Sequence, residues 1–266
     1  MYKKKILITG KGSYVGTSFM KWLEQWPEQY EVEEISVHGT AWRKHDFSKY
    51  DVVLHVAGIV HKQEKTEMKE MFFEVNAILP TEIAMEVKKA GVKQFVFLST
   101  MAVYGEEGEL LKKVVLNKKS VPSPKTMYGI SKLEAEKKLN NLNDKKFNVV
   151  IVRPPMIYGD NCPGNYSRLK RLAVKIPVFP RIENERSMIS IIKLCKDLKG
   201  YIDNENPGLY LPQDEQYTNT SRLIQELAAT EGKNIHLSPI LGWIVITFFK
   251  NVNIVRKMFG NLTYEK

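Results

Sequence analysis

A phenol and an ammonium four positions apart, Tyr128 and Lys132, carry the most recognisable chemistry in this chain. Residues i and i+4 share one face of a helix, and good helix formers follow them. A free phenol titrates near ~10, too high to exchange protons readily at neutral pH. A cation held close favours the phenolate and lowers that value, which makes such a tyrosine a candidate general acid or base. The same spacing arises by chance on surface helices that half-bury a tyrosine. The surrounding elements have to decide between the two readings.

Those elements begin with a short apolar run, residues 6–9, that ends in Gly10-Lys11-Gly12-Ser13-Tyr14-Val15-Gly16. Phe19, Trp22, Leu23 and Trp26 then recur on one helical face until Pro27 stops it. Strand, glycine turn and helix together form a site where backbone N–H groups can cradle a pyrophosphate, a reading preferred here to a plain turn. Residues 32–37 and 51–56 read as further strands, the latter apolar enough for a parallel sheet buried on both faces. Residues 39–49 are too few for a helical crossover, so that helix is missing or reduced to a turn, or residues 41–45 form a short strand. Where an acidic residue would close the second strand and hold a ribose, Val37 or His38 stands. Arg43 either meets a 2′-phosphate or faces solvent, and the choice between NAD and NADP stays open.

Residues 67–91 are helical by pattern, interrupted at Pro80 and closed by Gly91, and lead into a buried strand at 94–98. Ser99 and Thr100 follow it, at the carboxyl end where open α/β sheets bind ligands, although Ser and Thr also serve as caps and turns. Residues 105–126 read as a polar loop flanking a site, and the Tyr128 helix runs to about residue 142. The strand at 149–152 ends in Arg153-Pro154-Pro155, with Tyr158-Gly159 beyond. After Gly159 the alternation breaks up. The expectation is an α/β fold with a doubly wound, mostly parallel sheet: a dinucleotide-binding domain over 1–160 and a small C-terminal substrate lobe over 161–266, with an interspersed return to the core. The apolar run at 240–249 is too short to span a bilayer. A helix packed on the body or in a dimer contact is the leading reading, and a helix lying on a membrane between Lys250 and Arg256 the weaker one.

Composition sets the outer limits. At 266 residues, 43% hydrophobic and 26% charged, the chain reads as an ordinary soluble protein. Forty Lys plus Arg against thirty Asp plus Glu leave +10, but the lysines are scattered, so a generic basic surface is preferred to a nucleic-acid partner. Cys162 and Cys195 offer neither a zinc set nor a disulfide framework, so no metal is expected and a reducing cytoplasm is. Only three apolar residues follow the basic start, too few for a signal peptide.

With these pieces in order, the sequence resembles the extended short-chain dehydrogenase/reductases, in their nucleotide-sugar epimerase/dehydratase branch, over roughly residues 4–235. The resemblance rests on Thr9-Gly10 through Gly16, the stretch from Asp51 through Ala57-Gly58, Asn76, Ser99-Thr100 with Val103-Tyr104-Gly105, Tyr128 to Lys132, and Arg153-Pro154 with Tyr158-Gly159. It implies a Rossmann sheet binding NAD or NADP. Tyr128 would be the acid/base on a sugar hydroxyl or ketone, Lys132 would hold the nicotinamide ribose and depress the Tyr pKa, and Thr100 would bond the reacting oxygen. Gly10, Gly12, Ser13, Tyr14, Val15 and Gly16 would line the pyrophosphate, although Ser13 takes the place of the family's middle glycine. Ala57, Gly58, Asn76, Ser99 and Pro154 would line the rest of the cofactor cleft. In the lobe, Asn165 and Arg186 would grip a nucleoside diphosphate, Arg186 through its paired donors. The segment at 191–193 departs from the family pattern.

The resemblance also implies a probe-able reaction: a nucleotide-sugar oxidoreductase at C4, of UDP-sugar 4-epimerase type, in surface polysaccharide biosynthesis. A 4-ketoreductase of a UDP-4-keto-6-deoxy-N-acetylhexosamine needs the same triad and stays open. Met101-Ala102 after Thr100 replace the Asp-Glu of the 4,6-dehydratases and count against dehydration. From a different class, a non-catalytic dinucleotide sensor would suit the missing crossover helix but has no use for the acid/base. A homodimer is the expected assembly.

Overall fold

The computed structural model describes residues 2–60 and 66–266. Its strands are β1 (Lys4–Thr9), β2 (Tyr30–Ile35), β3 (Val52–His55), β4 (Gln94–Leu98), β5 (Val114–Leu116), β6 (Asn148–Val152), β7 (Met156–Tyr158), β8 (Val178–Pro180), β9 (Met188–Ser190), β10 (Gly208–Tyr210), β11 (His236–Ser238) and β12 (Leu262–Tyr264). The helices are α1 (Tyr14–Leu23), α2 (Lys69–Phe73), α3 (Leu79–Lys89), α4 (Met127–Asn140), α5 (Asn165–Ala173), α6 (Ile191–Asn204), α7 (Thr220–Thr230), α8 (Pro239–Phe248) and α9 (Asn253–Phe259). They gather into two compact units.

The first unit comprises residues up to Gly105, Val121–Pro154 and Ile191–Pro212. Its six strands lie in the order β10-β6-β4-β3-β1-β2, every pair parallel. Ile6, Leu7 and Ile8 are fully buried in β1, as a strand covered on both faces requires. The chain leaves β1 for β2 on one side and returns to β3 on the other. That reversal is the switch point at which parallel sheets open a ligand crevice. The sheet is doubly wound, as expected, with the crossover between β2 and β3 reduced to two 3₁₀ turns, Ala41–Lys44 and Phe47–Lys49. Trp42 and Phe47 from these turns fill the core where a helix would have packed.

The second unit comprises Glu106–Ser120, Pro155–Ser190 and residues from Gln213 onward. Compactness therefore places the boundary after Pro154 rather than after 160, and assigns residues 106–120 to the smaller unit. Three short parallel pairs, β7 with β9, β8 with β11 and β5 with β12, surround a core of Leu110, Phe179, Ile182, Ile224 and Phe259. Residues 105–126, expected to be loop, hold β5.

Between β3 and β4 the sequence pattern puts an interruption at Pro80. The chain instead carries Pro80 inside a continuous helical run from Lys69 to Lys89, directly after a change of pitch in a π turn over Glu74–Ile78. That turn carries Asn76 inward. No helix among the described residues is long and apolar enough to cross a membrane.

Candidate functional site

The loops after β1 and β3 touch at the switch point. Gly10 has φ +126°, and a Cβ there would lie 2.7 Å from the Ala57 nitrogen. Only glycine combines that backbone with that approach. The Ala57 amide donates to the Thr9 carbonyl at 3.0 Å, which closes the two loops together. Ser13 caps α1 by accepting from the Gly16 amide at 3.2 Å, so its hydroxyl is engaged while the N-terminus of the helix faces the glycine turn. Tyr14 and Val15 open that helix. β2 ends at Ile35, before Val37 and His38, and inside it stands Glu34, passed over in the sequence, whose carboxylate accepts from the Gly12 amide at 3.1 Å. Arg43 is exposed and pairs with Glu82 at 2.5 Å while covering the Trp42 ring.

Thr126 caps α4 through the Gly129 amide at 3.0 Å, and the next two turns deliver Tyr128, Lys132 and Glu136 along one face. The Thr100 hydroxyl hydrogen-bonds the Tyr128 phenol and favours its ionised form, while burial acts more strongly the other way and pushes the phenol up to about 12. Thr100 also caps the 3₁₀ turn Met101–Tyr104, accepting from the Ala102 amide at 3.1 Å. Lys132 is buried. Its ammonium donates to the Leu98 carbonyl at 2.8 Å and sits 4.5 Å from the centre of the Phe97 ring. Desolvation lowers it to about 7, with Glu136 acting in the opposite direction. Lys132 Nζ is engaged by the Leu98 carbonyl, and burial weakens its charge.

Asn76 is fully buried and clamps the loop after β3, accepting from the Ile59 amide at 2.8 Å and donating to the Ile59 carbonyl at 3.1 Å and to Ser131 Oγ at 3.2 Å. Gly58 lies against it. A Cβ on Gly58 would stand 3.0 Å from Asn76 Oδ1 and 3.4 Å from Lys132 Nζ. The space beside the buried ammonium is therefore kept clear by the absence of one carbon.

Glu136, Arg153 and His55 were given no role from the sequence. Glu136, on the third turn of α4, receives the hydroxyl of Ser99 and is met by Arg153, with Nε to Oε1 at 3.0 Å and Nη2 to Oε2 at 2.5 Å. All three side chains are buried. Arg153 lies 4.8 Å from the Tyr104 ring centre, and the neighbouring Pro154 carbonyl accepts from the Met101 amide at 2.9 Å. The Tyr-x-x-x-Lys-x-x-x-Glu spacing was the available signal. His55, at the end of β3, stacks against Phe95 and Phe97 and bonds Thr9 at 2.8 Å; burial lowers it to about 3, so it is neutral.

Asn165 and Arg186 lie in the second unit. Asn165 is exposed at the start of α5. Arg186 is half-buried, with Nη1 donating to the Gly260 carbonyl at 2.7 Å and the Glu107 carbonyl at 3.3 Å, and burial lowers it to about 10.

A model of the NAD dependent epimerase/dehydratase family matches residues 6–176, which span the glycine turn, the Tyr128 helix and the Arg153 loop. The chain belongs to this family. Among its relatives is a UDP-glucose 4-epimerase of Vibrio cholerae, 30% identical across 98% of this chain and 87% of that protein. Another, the N-acetyl-alpha-D-glucosaminyl-diphospho-ditrans,octacis-undecaprenol 4-epimerase of Escherichia coli O157:H7, is 27% identical across 73% of this chain and 60% of its own. The fold matches a UDP-glucuronic acid 4-epimerase from Bacillus cereus, solved with NAD, at a TM-score of 0.74 and 17% identity, covering 98% of this chain and 89% of that one. As a family member the chain is an enzyme that uses NAD or NADP. Its residues fit such a cofactor: Gly10 lets the turn after β1 meet the Ala57 backbone beside the α1 N-terminus, and the Gly58 gap lies beside Lys132 Nζ.

Proposed function

We propose that this enzyme epimerises C4 of a nucleoside-diphosphate sugar, with NAD held through the turnover, in surface polysaccharide biosynthesis. The observation that carries this reading is the Thr100–Tyr128 hydrogen bond one helical turn from a buried Lys132, at the switch point of the sheet. Tyr128 exchanges the proton of the C4 oxygen, and Thr100 donates to that same oxygen as charge develops on it. Lys132 holds the nicotinamide ribose hydroxyls and keeps a positive charge near the phenol. When bound, NAD would supply the hydride acceptor and donor. Gly10, Gly12, Ser13, Tyr14, Val15 and Gly16 line the pyrophosphate, and Ala57, Gly58, Asn76, Ser99 and Pro154 the rest of the cleft. Glu34 supports NAD over NADP, because a carboxylate beside the Gly12 amide suits ribose hydroxyls and repels a 2′-phosphate.

In the second unit Asn165 and Arg186 are proposed to contact the diphosphate, Arg186 through Nε and Nη2, which make no hydrogen bond to the described residues. A UDP-linked substrate, a homodimer and a cytoplasmic location complete the reading. Incubation with UDP-glucose, UDP-N-acetylglucosamine and a 4-keto-6-deoxy UDP-sugar, with and without NADH or NADPH, tests it. A C4 epimer formed without net cofactor consumption is expected. Loss of ketosugar matched one to one by oxidation of reduced cofactor would replace the epimerase with a 4-ketoreductase, and a preference for NADPH would overturn the role of Glu34.

A further inference from the structure

Within the second unit, α8 and α9 leave a large apolar surface uncovered. Ile240 is 72% exposed, Trp243 63%, Phe248 67% and Ile254 67%, and Phe249 and Val252 join them. Residue Gly242 sits against the Arg181 backbone, while Val245 and Ile246 pack into the core. The outward side of α8 is thus as apolar as its inward side, and Thr247 is the only residue of the helix with a polar side chain. Scattered apolar residues are normal on a surface, but a contiguous patch of this kind marks something that covers it.

The stretch that carries the patch has charges of one sign. Between Glu231 and Glu265 the chain has no Asp or Glu, and it carries Lys233, Lys250, Arg256 and Lys257. Lys257 is paired with Glu107 and Arg256 Nε is held by the Gly108 carbonyl, whereas Lys250 is exposed. Beside the first turn of α8 opens a cleft of about 430 Å³ lined by Arg181, Arg222, His236, Asn219 and Gln225, with Glu183 its acidic member. Arg181 binds the entry to α8 directly, its amide donating to the Ser238 carbonyl at 3.0 Å. Arg222 is paired with Glu183 at 3.5 Å, which leaves Arg181 as the basic group at the cleft. An apolar face with a tryptophan near its middle, bordered by Arg181 and Lys250, complements a surface that is anionic outside and hydrocarbon within.

We propose that α8 and α9 dock the enzyme on an anionic lipid bilayer, with Trp243 and Phe248 in the acyl boundary and Arg181 and Lys250 against lipid phosphates. Because α8 has only ten residues, it lies in the interface and does not span it. A second copy of the chain could cover the apolar residues, but in a self-complementary contact it presents the same stretch, which has no acidic residue between Glu231 and Glu265 to meet Arg181 and Lys250. The charge pattern therefore favours lipid.

The test is sedimentation of the protein with vesicles of phosphatidylglycerol and phosphatidylcholine in equal parts, against vesicles of phosphatidylcholine alone, with tryptophan fluorescence followed in parallel in a Trp22→Phe/Trp26→Phe/Trp42→Phe background that leaves Trp243 as the emitter. Binding to the anionic vesicles with a blue shift is expected, weakened by salt. Trp243→Ser/Phe248→Ser and, separately, Arg181→Glu/Lys250→Glu are each expected to reduce it roughly tenfold or more. These side chains are surface groups outside the proposed active site, so turnover of a water-soluble nucleotide sugar remains as in the parent and shows that the variants fold. No binding to either vesicle overturns the proposal. So does a stable dimer, seen by sedimentation equilibrium, that dissociates in the Trp243→Ser/Phe248→Ser variant without any vesicle binding by the parent.

Discussion

At the scale of single residues, Lys132 presents the sharpest electrostatic conflict, since a charge needed for function is buried where burial opposes it. Its folded-state value, about 7, lies below its ordinary 10.5. Between these values the unfolded chain binds the extra proton, so stability rises with pH across that window; below about 7 the buried charge costs its full penalty. Lys132→Met removes the charge. Melting curves should show the variant gaining on the parent at pH 6–7 and losing that relative gain toward pH 10, by several degrees, at roughly 2–4 °C per ~1 kcal/mol in a chain of this size. A difference in melting temperature that is flat with pH would show that Lys132 is not desolvated. Glu136 and Arg153 make the complementary case. Glu136→Gln leaves the Arg153 guanidinium buried without its counter-charge, and a loss of about 3–5 kcal/mol in denaturant unfolding is expected. Tyr128→Phe should lower turnover by roughly 10²–10⁴ with cofactor affinity unchanged by calorimetry; unaltered turnover would instead favour a dinucleotide sensor. Tyr128 and Lys132 were legible because their spacing alone puts them on one face. Glu136 shares that face one turn further on, but a helical carboxylate is ordinarily solvated, and nothing in the sequence announces that Arg153, seventeen positions away, packs opposite it.

At the scale of elements, the strands of the parallel sheet could be read because β1, β3, β4 and β6 are short apolar runs, which suit a sheet buried on both faces. Their ends were less legible. β2 stops two residues earlier than its apolar pattern, and that shift is what hid Glu34, which sits inside the strand instead of after it. The helix between β3 and β4 was legible as helix, but its π turn was not: Pro80 is the stronger sequence signal, while the pitch change at Glu74–Ile78 follows from burying Asn76 under the β3 loop. This element makes a specific demand on its neighbour. Gly58→Ala places a methyl 3.0 Å from Asn76 Oδ1 and 3.4 Å from Lys132 Nζ, with an ordinary backbone conformation and no positive φ. The variant should therefore fold with a cost near 1 kcal/mol, within the ordinary range for a single substitution, yet bind NAD at least roughly tenfold more weakly, because the added carbon fills the gap onto the ammonium. Unchanged NAD affinity by calorimetry would remove Gly58 from the cleft.

At the scale of the whole molecule, the chain passes between its two units five times, so neither unit is a continuous piece that could be cut out and studied alone. Sequence periodicity cannot reveal this for the smaller unit, whose strands are three residues long and whose partners are remote: β5 finds β12 nearly 150 positions later. The final segment is the stitch. Asn261 donates to the Glu109 and Leu110 carbonyls, each at 3.0 Å, and accepts from the Glu185 amide at 2.8 Å. Leu262 and Tyr264 are buried, and the Tyr264 amide donates to Ser187 Oγ at 2.8 Å. Residues 106–120, 182–187 and 213–217 all depend on these few side chains and amides, since Tyr217 and Gln213 also bond the Tyr264 carbonyl. Tyr264→Ala should cost about 3–5 kcal/mol, the range for deleting a large buried aromatic. Removal of residues 261–266 should go further and unfold the second unit while the first keeps its sheet. Hydrogen exchange distinguishes the outcomes: amides of β5, β8 and β9 should lose protection together, while those of β1, β3 and β4 retain it. Uniform loss across both units would mean that the six-stranded sheet depends on the smaller unit for its own stability, and protection retained in β5 would mean that β12 is not what holds that strand in place.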